Sequence, residues 1–351
     1  MKHSRGRGGA RHPLIELTLA RLREFIREPE ALFWTFIFPI VLSMALASAF
    51  PGGATSPVFV GLAASPASAG LRQTLAAVPG IIVRDVELDE ELDALREGEV
   101  HLVVRPTDPP TYRFDPGRDG SRTARLIVDD ALKRASGRAD PWTARDQAVE
   151  IPGSRYVDWL IPGIVGMNIM GTSLWGLGFS IVQARMRKIL KRLVASPMRK
   201  WEYLMAQILA RMLFLAPEAA VPLLFGVLAF GMPIQGSVAA IVVVTAAGGL
   251  AFSGLGLLVA SRPRTIEGIS GVLNFVMLPM WILSGIFFSA SNFPDALQPF
   301  IQALPLTALI DALRGVVLEG ATVAGVAGEL VLLAVWGVVP FALAIRLFKW
   351  K

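Results

Sequence analysis

Arg211 and Glu218 lie seven residues apart in a stretch that carries no other charge from 204 to 230. A charge at the centre of a bilayer costs roughly 2.5 kcal/mol or more, so each needs a reason to be there. Glu218 follows Pro217, a residue at which a helix is loosened. Two readings stand for it. One is a substrate- or gating-related carboxylate facing a polar cavity. The other is a structural partner of Arg211, of Asn168 or of a neighbouring subunit. Asp311 and Arg314 are three residues apart, a spacing at which opposite charges pair locally on a short helix, as structure rather than catalysis. Asn168 and Asn274 fall inside apolar runs and suit hydrogen bonds between helices. Glu267 and Glu329 lie close to the ends of such runs, where interfacial water solvates them.

Other chemistries find little support. The chain has no Cys, which removes disulfides, thiolate metal sites and thiol nucleophiles. Its three His residues (His3, His12, His101) are scattered, and no His-Glu-x-x-His pair occurs. The dipeptide Gly-Lys is absent, which excludes the phosphate loop GxxxxGK[ST]. The segment GGLAFSGLGLL (248–258) is Gly-rich, but small residues in an uncharged run serve close helix packing better than phosphate binding.

The densest charge is the stretch QARMRKILKRLVASPMRKWEY (183–203). It holds Arg185, Arg187, Lys188, Lys191, Arg192, Arg199 and Lys200, with no acid between Arg185 and Lys200. Nucleic-acid patch, topology signal and docking element are the competing explanations. Apolar runs on both sides remove the first, and no nucleic-acid partner is expected. A basic loop between membrane spans is explained by topology alone. Its arrangement adds a short helix, ILKRLVAS, which Pro197 ends, and that suits a docking element.

The composition agrees with a membrane setting. Of 351 residues, 53% are hydrophobic and 18% charged, against about a quarter charged in soluble domains. No charge occurs from 219 to 261 or from 268 to 294. Runs of about 18 or more apolar residues are long enough to cross a bilayer core. The spacing predicts an α-helical polytopic membrane protein with six spans, at about 31–50, 157–183, 204–230, 237–260, 267–289 and 322–345. The tail (1–30) ends in an amphipathic helix, LIELTLARLREFIRE (14–28), suited to lie in the membrane interface. No short apolar region directly follows the basic MKHSRGRGGARHP, so a cleaved signal is not expected. Residues 290–315 are broken by Pro294, Pro299 and Pro305, and predict a re-entrant pair of short helices. Residues 51–153 mix both charge signs and alternate strand and helix patterns, a small α/β domain. The whole divides as 1–30 tail, 31–50 first span, 51–153 domain, and 154–351 spans two to six.

Orientation follows from the basic residues. The N-terminal tail, the loop 184–202, the pair Arg262/Arg264 and the C-terminal Arg346, Lys349 and Lys351 fall on one side of six spans. The short loop 231–236 on the other side has no Lys or Arg. This positive-inside pattern puts both termini in the cytoplasm of a plasma (inner) membrane protein and the 51–153 domain outside.

Three segments carry a family resemblance. LNFVMLPMWILSGIFFSASNFPDALQPFIQALPLTALIDALRG (273–315) resembles the signature of the type 2 permeases of ATP-binding-cassette exporters. LARLREFIREPEALFWTFIFPI (19–40) looks like that family's elbow helix running into its first span, and ILKRLVASPMRKWEYLMAQ (189–207) looks like its first cytoplasmic loop. The resemblance covers essentially the whole chain. It implies a permease half that pairs with a second permease chain, a copy of itself (homodimer) or a sister permease, and with separate ATPase subunits that bind ATP and magnesium. This chain itself binds no cofactor or metal and is not an enzyme on this reading. By the same analogy the docking surface includes Arg21, Arg23 and Arg27 of the elbow and Arg187, Lys188, Lys191 and Arg192 of the loop. Asn168, Glu218 and Asn274 belong to the transport pathway, and the hairpin with Pro294, Pro305, Asp311 and Arg314 closes its outer end. Many relatives carry an acid and a Gly just before the Leu-Lys-Arg-Leu region, where this chain has Arg185-Met186-Arg187-Lys188. Two other classes remain as alternatives: a membrane-embedded enzyme using Glu218 or Asp311 as acid or base, and a non-transporting scaffold or sensor built around residues 51–153.

Overall fold

The computed structural model describes residues 23, 26–49, 57–65, 68–138, 155–190 and 200–347. Most of the predicted elbow (14–28, save 23 and 26–28) and of the short helix expected at 189–197 (save 189–190) lies outside these residues. Two compact units result, one from the two ends of the chain and one from residues Gly53–Val149.

The first unit opens with a helical run in three pieces: α1 (Pro29–Leu32), a π-helical turn (Phe33–Ile37) and α2 (Phe38–Ala49). The π turn has a cause in Pro39. Proline has no N–H, so the carbonyl four residues back, that of Thr35, loses its helical partner. Buried Thr35 offers that carbonyl to the Asn168 side chain instead, Nδ2 to O 2.9 Å.

The second unit folds around a four-stranded sheet. Its elements are β1 (Val58–Ala63), α3 (Ser68–Ala76), β2 (Ile81–Val86), α4 (Glu91–Glu97), β3 (Leu102–Arg105), β4 (Thr111–Arg113) and α5 (Asp119–Ala135). The strand order is β2-β1-β3-β4. β1 pairs in parallel with β2 (Val58 opposite Ile81) and with β3 (Val60 opposite Leu102), while β4 runs antiparallel to β3. Parallel neighbours need a crossover, and α3 and α4 supply one each. Val60, Leu62, Leu102 and Val104 meet Leu75 of α3 and Ala124 and Val128 of α5 on one face. Val86, Val100 and Val103 meet Ala94 of α4 on the other.

One buried charge ties α4 to the sheet. The Glu91 side chain is fully buried. Arg105 donates to it through Nε (2.9 Å to Oε1) and Nη2 (2.6 Å to Oε2), and Arg113 adds a further hydrogen bond. These bonds, Arg105 first, hold the carboxyl below its usual range against the opposing effect of burial.

The first unit resumes with α6 (Tyr156–Met186), α7 (Lys200–Phe230), α8 (Val238–Val259) and α9 (Ile266–Leu283). Two single 3-10 turns follow (Ala290–Asn292, Asp295–Leu297), then α10 (Gln298–Gln302), α11 (Pro305–Glu319) and α12 (Ala327–Leu347). Among the described residues five helices are long and apolar enough to cross a membrane: α6, Glu202–Phe230 of α7, α8, α9 and α12. Phe33–Ala49 is a shorter apolar helix. Asp295–Gln302 and Pro305–Glu319 form a pair bent by 84°, the geometry of a broken span or re-entrant loop.

Several predicted boundaries move. The fifth apolar helix ends at Leu283, not near 289. Ser284 leads into Gly285 at φ 74°, a left-handed residue that ends a helix. The last helix begins at Ala327, not 322, after a turn at 323–326. The hairpin is unequal, one 5-residue and one 15-residue helix.

α6 is the buried axis of the bundle, with Ile161, Ile164, Val165, Ile169, Met170 and Leu174 all sealed from solvent. α8 and α12 approach more closely than side chains allow. A Cβ at Gly254 would run into the Gly337 carbonyl. α9 is different: it buries only Ile269, Leu273, Met277 and Met280, a single stripe at helical spacing.

Glu91→Gln leaves Arg105 and Arg113 without their charged acceptor, and should destabilise the sheet unit by about 3 kcal/mol. A carboxyl with a lowered folded pKa contributes its full stability above the unfolded value of about 4.3 and loses it as pH falls below. Amide exchange of β3 and β4 in the full-length wild type should therefore accelerate on acidification through that range. In Glu91→Gln it should be fast already at neutral pH and gain little more in acid.

Candidate functional site

The first polar centre lies where α6 and α7 face each other. α7 is 31 residues long. At a rise of about 1.5 Å per residue, Arg211 and Glu218 sit roughly 16 Å and roughly 27 Å from its start, well inside the helix. Both are buried, Glu218 completely. Residues seven apart share one helix face. The Arg211 guanidinium meets the Glu218 carboxylate in a two-pronged ion pair, the strong form of such a bond. Nη1 lies 2.5 Å from Oε1, and Nη2 bonds Oε2. The remaining donors turn to α6: Nε to Ser173 Oγ at 2.9 Å and Nη2 to Thr172 Oγ1 at 2.5 Å. The Thr172 hydroxyl has a single proton to give. It serves either the Asn168 carbonyl at 2.7 Å or Glu218 Oε2 at 3.1 Å. Asn168 then reaches Thr35, so one network links the first, second and third apolar segments.

Of the two readings for Glu218, the geometry supports the structural one. Its carboxylate is neutralised by Arg211 and sealed from solvent. Thr172, Ser173 and Thr35 are members that the sequence reading misses. Asn168 and Thr172 fall on one face of α6 at four-residue spacing, and that is the available signal.

The second centre corrects the local pairing expected of Asp311 and Arg314. Asp311 is exposed, and its neighbour three residues on turns elsewhere. Arg314 lies with its guanidinium carbon 3.6 Å from the Trp159 ring centroid. It donates to the carbonyls of Trp159 (3.2 Å) and Gly285 (2.7 Å). Tyr156 Oη adds a bond to the Phe287 carbonyl at 3.1 Å. The start of α6, the segment after α9, and α11 are thus sewn together through main-chain acceptors. Arg155 pairs with buried Asp158 through two hydrogen bonds of 2.9 and 2.8 Å at the same end of α6. Pro294 caps the second 3-10 turn, and Pro305 occupies the first turn of α11, where its missing N–H costs nothing.

Asn274 stands apart from both centres. It lies on the exposed side of α9 with Glu267, Gly271 and Leu278, away from the buried stripe. At the basic end, Arg23 and Arg27 are exposed, as are Arg187 and Lys188. Arg21, Lys191 and Arg192 lie outside the described residues. Lys188 has φ 57°, the left-handed region. This explains why a glycine would be favoured where α6 ends: the chain turns there through a conformation that costs an L-residue about 1 kcal/mol.

Two outcomes are expected. Removing one member of the buried pair, as in Glu218→Leu or Arg211→Met, should destabilise the fold by about 3–5 kcal/mol, whereas the double variant Arg211→Met/Glu218→Leu should recover most of that loss. Thermal unfolding in detergent measures both. Lys188→Gly should raise stability slightly and Lys188→Val lower it by about 1 kcal/mol or more, read by the same assay.

Comparison with known proteins bears on the whole chain. The family model described as "ABC-2 family transporter protein" matches residues 29–346. ABC transporter G family member 20 of Dictyostelium discoideum is 29% identical over 171 residues, 48% of this chain and 23% of that protein. The probable multidrug ABC transporter permease YbhR of Escherichia coli (strain K12) is 25% identical over 172 residues, 49% of this chain and 46% of its own length. Nodulation protein J of Bradyrhizobium diazoefficiens is 36% identical over 102 residues, 29% of this chain and 38% of that protein. Each of these matches takes in less than half of the relative's length. A family match across nearly all of the described helices, on a bundle with five membrane-length apolar helices, leads to one conclusion: the chain is a multi-pass membrane protein that belongs to the ABC-2 family of transporter proteins.

Proposed function

We propose that this chain is the transmembrane permease subunit of an ATP-driven exporter. Two copies form the pathway, and a separate cytoplasmic ATPase, holding ATP and magnesium, drives it. The cargo class is an amphiphile, drug, lipid or glycan leaving the cytoplasm. The membrane is the plasma or inner membrane, crossed six times with both termini cytoplasmic and the sheet unit outside. The elbow with Arg21, Arg23 and Arg27 and the loop with Arg187, Lys188, Lys191 and Arg192 receive the ATPase.

The observation that carries this reading is Asn274. α12 presents apolar residues at its exposed surface (Val331, Val335, Val338), as a lipid-facing helix does. α9 instead exposes Asn274 and Gly271 in mid-helix beside Phe275, which is 81% exposed. A polar amide facing hydrocarbon is unfavourable, and small and polar residues are what helix–helix contacts in membranes use. This face of α9 therefore suits a second permease chain and the path between the two. The fully paired Glu218 serves the pathway indirectly, by holding α7 against α6.

The chain has no native Cys, so Asn274→Cys introduces a unique thiol. Oxidation in native membranes should give a disulfide-linked dimer, and Val335→Cys on α12 should not. Reconstituted with its cognate ATPase subunit, the wild type should bind that subunit and change its ATP turnover. Absence of both effects would sink the proposal.

A further inference from the structure

Arg185 sits in the last turn of α6, which runs on to Met186 and so takes in the first residues of the predicted 184–202 loop. Its side chain leaves the helix sideways and donates to three main-chain carbonyls of the short connection between α8 and α9. Nη1 reaches Ala260 O at 3.2 Å and also bonds Pro263 O, and Nη2 reaches Ser261 O at 3.1 Å. A helix end leaves such carbonyls without intrahelical partners, and a cation there also meets the negative end of the α8 dipole. Ala260 and Ser261 are buried, so water is a poor substitute. The gripped Pro263 stands between Arg262 and Arg264, both exposed. On the other side of the clamp, Arg187 and Lys188 are exposed as well, directly after α6.

We propose that Arg185 is a positioning residue: it locks the α8–α9 connection to the end of α6, so that Arg262 and Arg264 move as one body with Arg187 and Lys188. This rests on the permease reading above, under which both segments lie on the cytoplasmic side and the one after α6 receives the ATPase. A push on either loop then reaches α6, α8 and α9 together. The role is specific to a planar fork with several fixed donors. A lysine ammonium is a point charge on a flexible stem and cannot hold three carbonyls in one plane.

The test uses full-length protein in nanodiscs with spin labels at Arg187→Cys and Arg264→Cys, and a control pair at Val238→Cys and Thr322→Cys. With Arg185 intact, the 187–264 pair should give one narrow distance distribution. Arg185→Gln should widen it about twofold or more, and Arg185→Lys should fall between, while the control pair stays narrow in all three. An unwidened 187–264 distribution in Arg185→Gln overturns the proposal. Should Arg185→Gln fail to insert, Arg185→Lys carries the same comparison. With the ATPase subunit added, Arg185→Gln should keep subunit binding but lose about fivefold or more of the permease-dependent change in ATP turnover. Widening without that loss overturns the coupling role. If the wild type binds no ATPase subunit, the permease reading falls, and the spin-label distances still decide the clamp.

Discussion

A polar group inside a bilayer has no water to fall back on, so each must find its partner within protein. Much of this bundle's arrangement follows from that rule. Pro39 strips Thr35 of its helical hydrogen bond, and Asn168 supplies another. Arg211 brings a charge into the bundle, and Glu218, Thr172 and Ser173 absorb nearly all its donors. The outcome is directional as well as stabilising. Apolar surfaces slide past one another at little cost, but a two-pronged ion pair with side branches to a neighbouring helix allows one register. α6 and the first span are held to α7 by polar contacts, while dispersion fills the space around them.

The same economy of acceptors appears at both ends of α6. Arg314 and Tyr156 bond main-chain carbonyls of the segment after α9, and Arg185 bonds those of the segment before it. α9 is thereby gripped at its two ends and loosely packed along its length, burying Ile269, Leu273, Met277 and Met280 alone. A helix held in this way can tilt or roll about its anchors without tearing a hydrogen-bonded surface. That is the mechanical character the proposed path would ask of a helix beside it.

Most of the architecture is legible in the sequence because the signals are long. Charge-free runs of membrane length, strand and helix alternation in 57–137, and the three prolines in 294–305 each integrate over many residues. What fails to show is either confined to one residue or set by neighbours distant in the chain. The stop at Gly285 depends on one left-handed residue. The pairing of Asp311 with Arg314 looks natural at three-residue spacing, yet Trp159, 155 positions away, competes better for the guanidinium. Glu218 stands out in the sequence as needing a partner, but Thr172 and Ser173 look like ordinary small polar residues of an apolar helix. Only a folded neighbour distinguishes a hydroxyl that bonds its own helix from one that receives an arginine.

The contact between Gly254 and Gly337 has a consequence for how this protein can change. Where two main chains touch, no side chain intervenes, so a side chain at Gly254 could not be accommodated without separating α8 from α12. The outward side of α9 lies at the other extreme. Phe275, Leu278 and Asn274 lie on the exposed side of that helix, where an exchange meets little packing among the described residues. Sterics thus leave the outward face of α9 freer to accept a changed side chain than the position of Gly254.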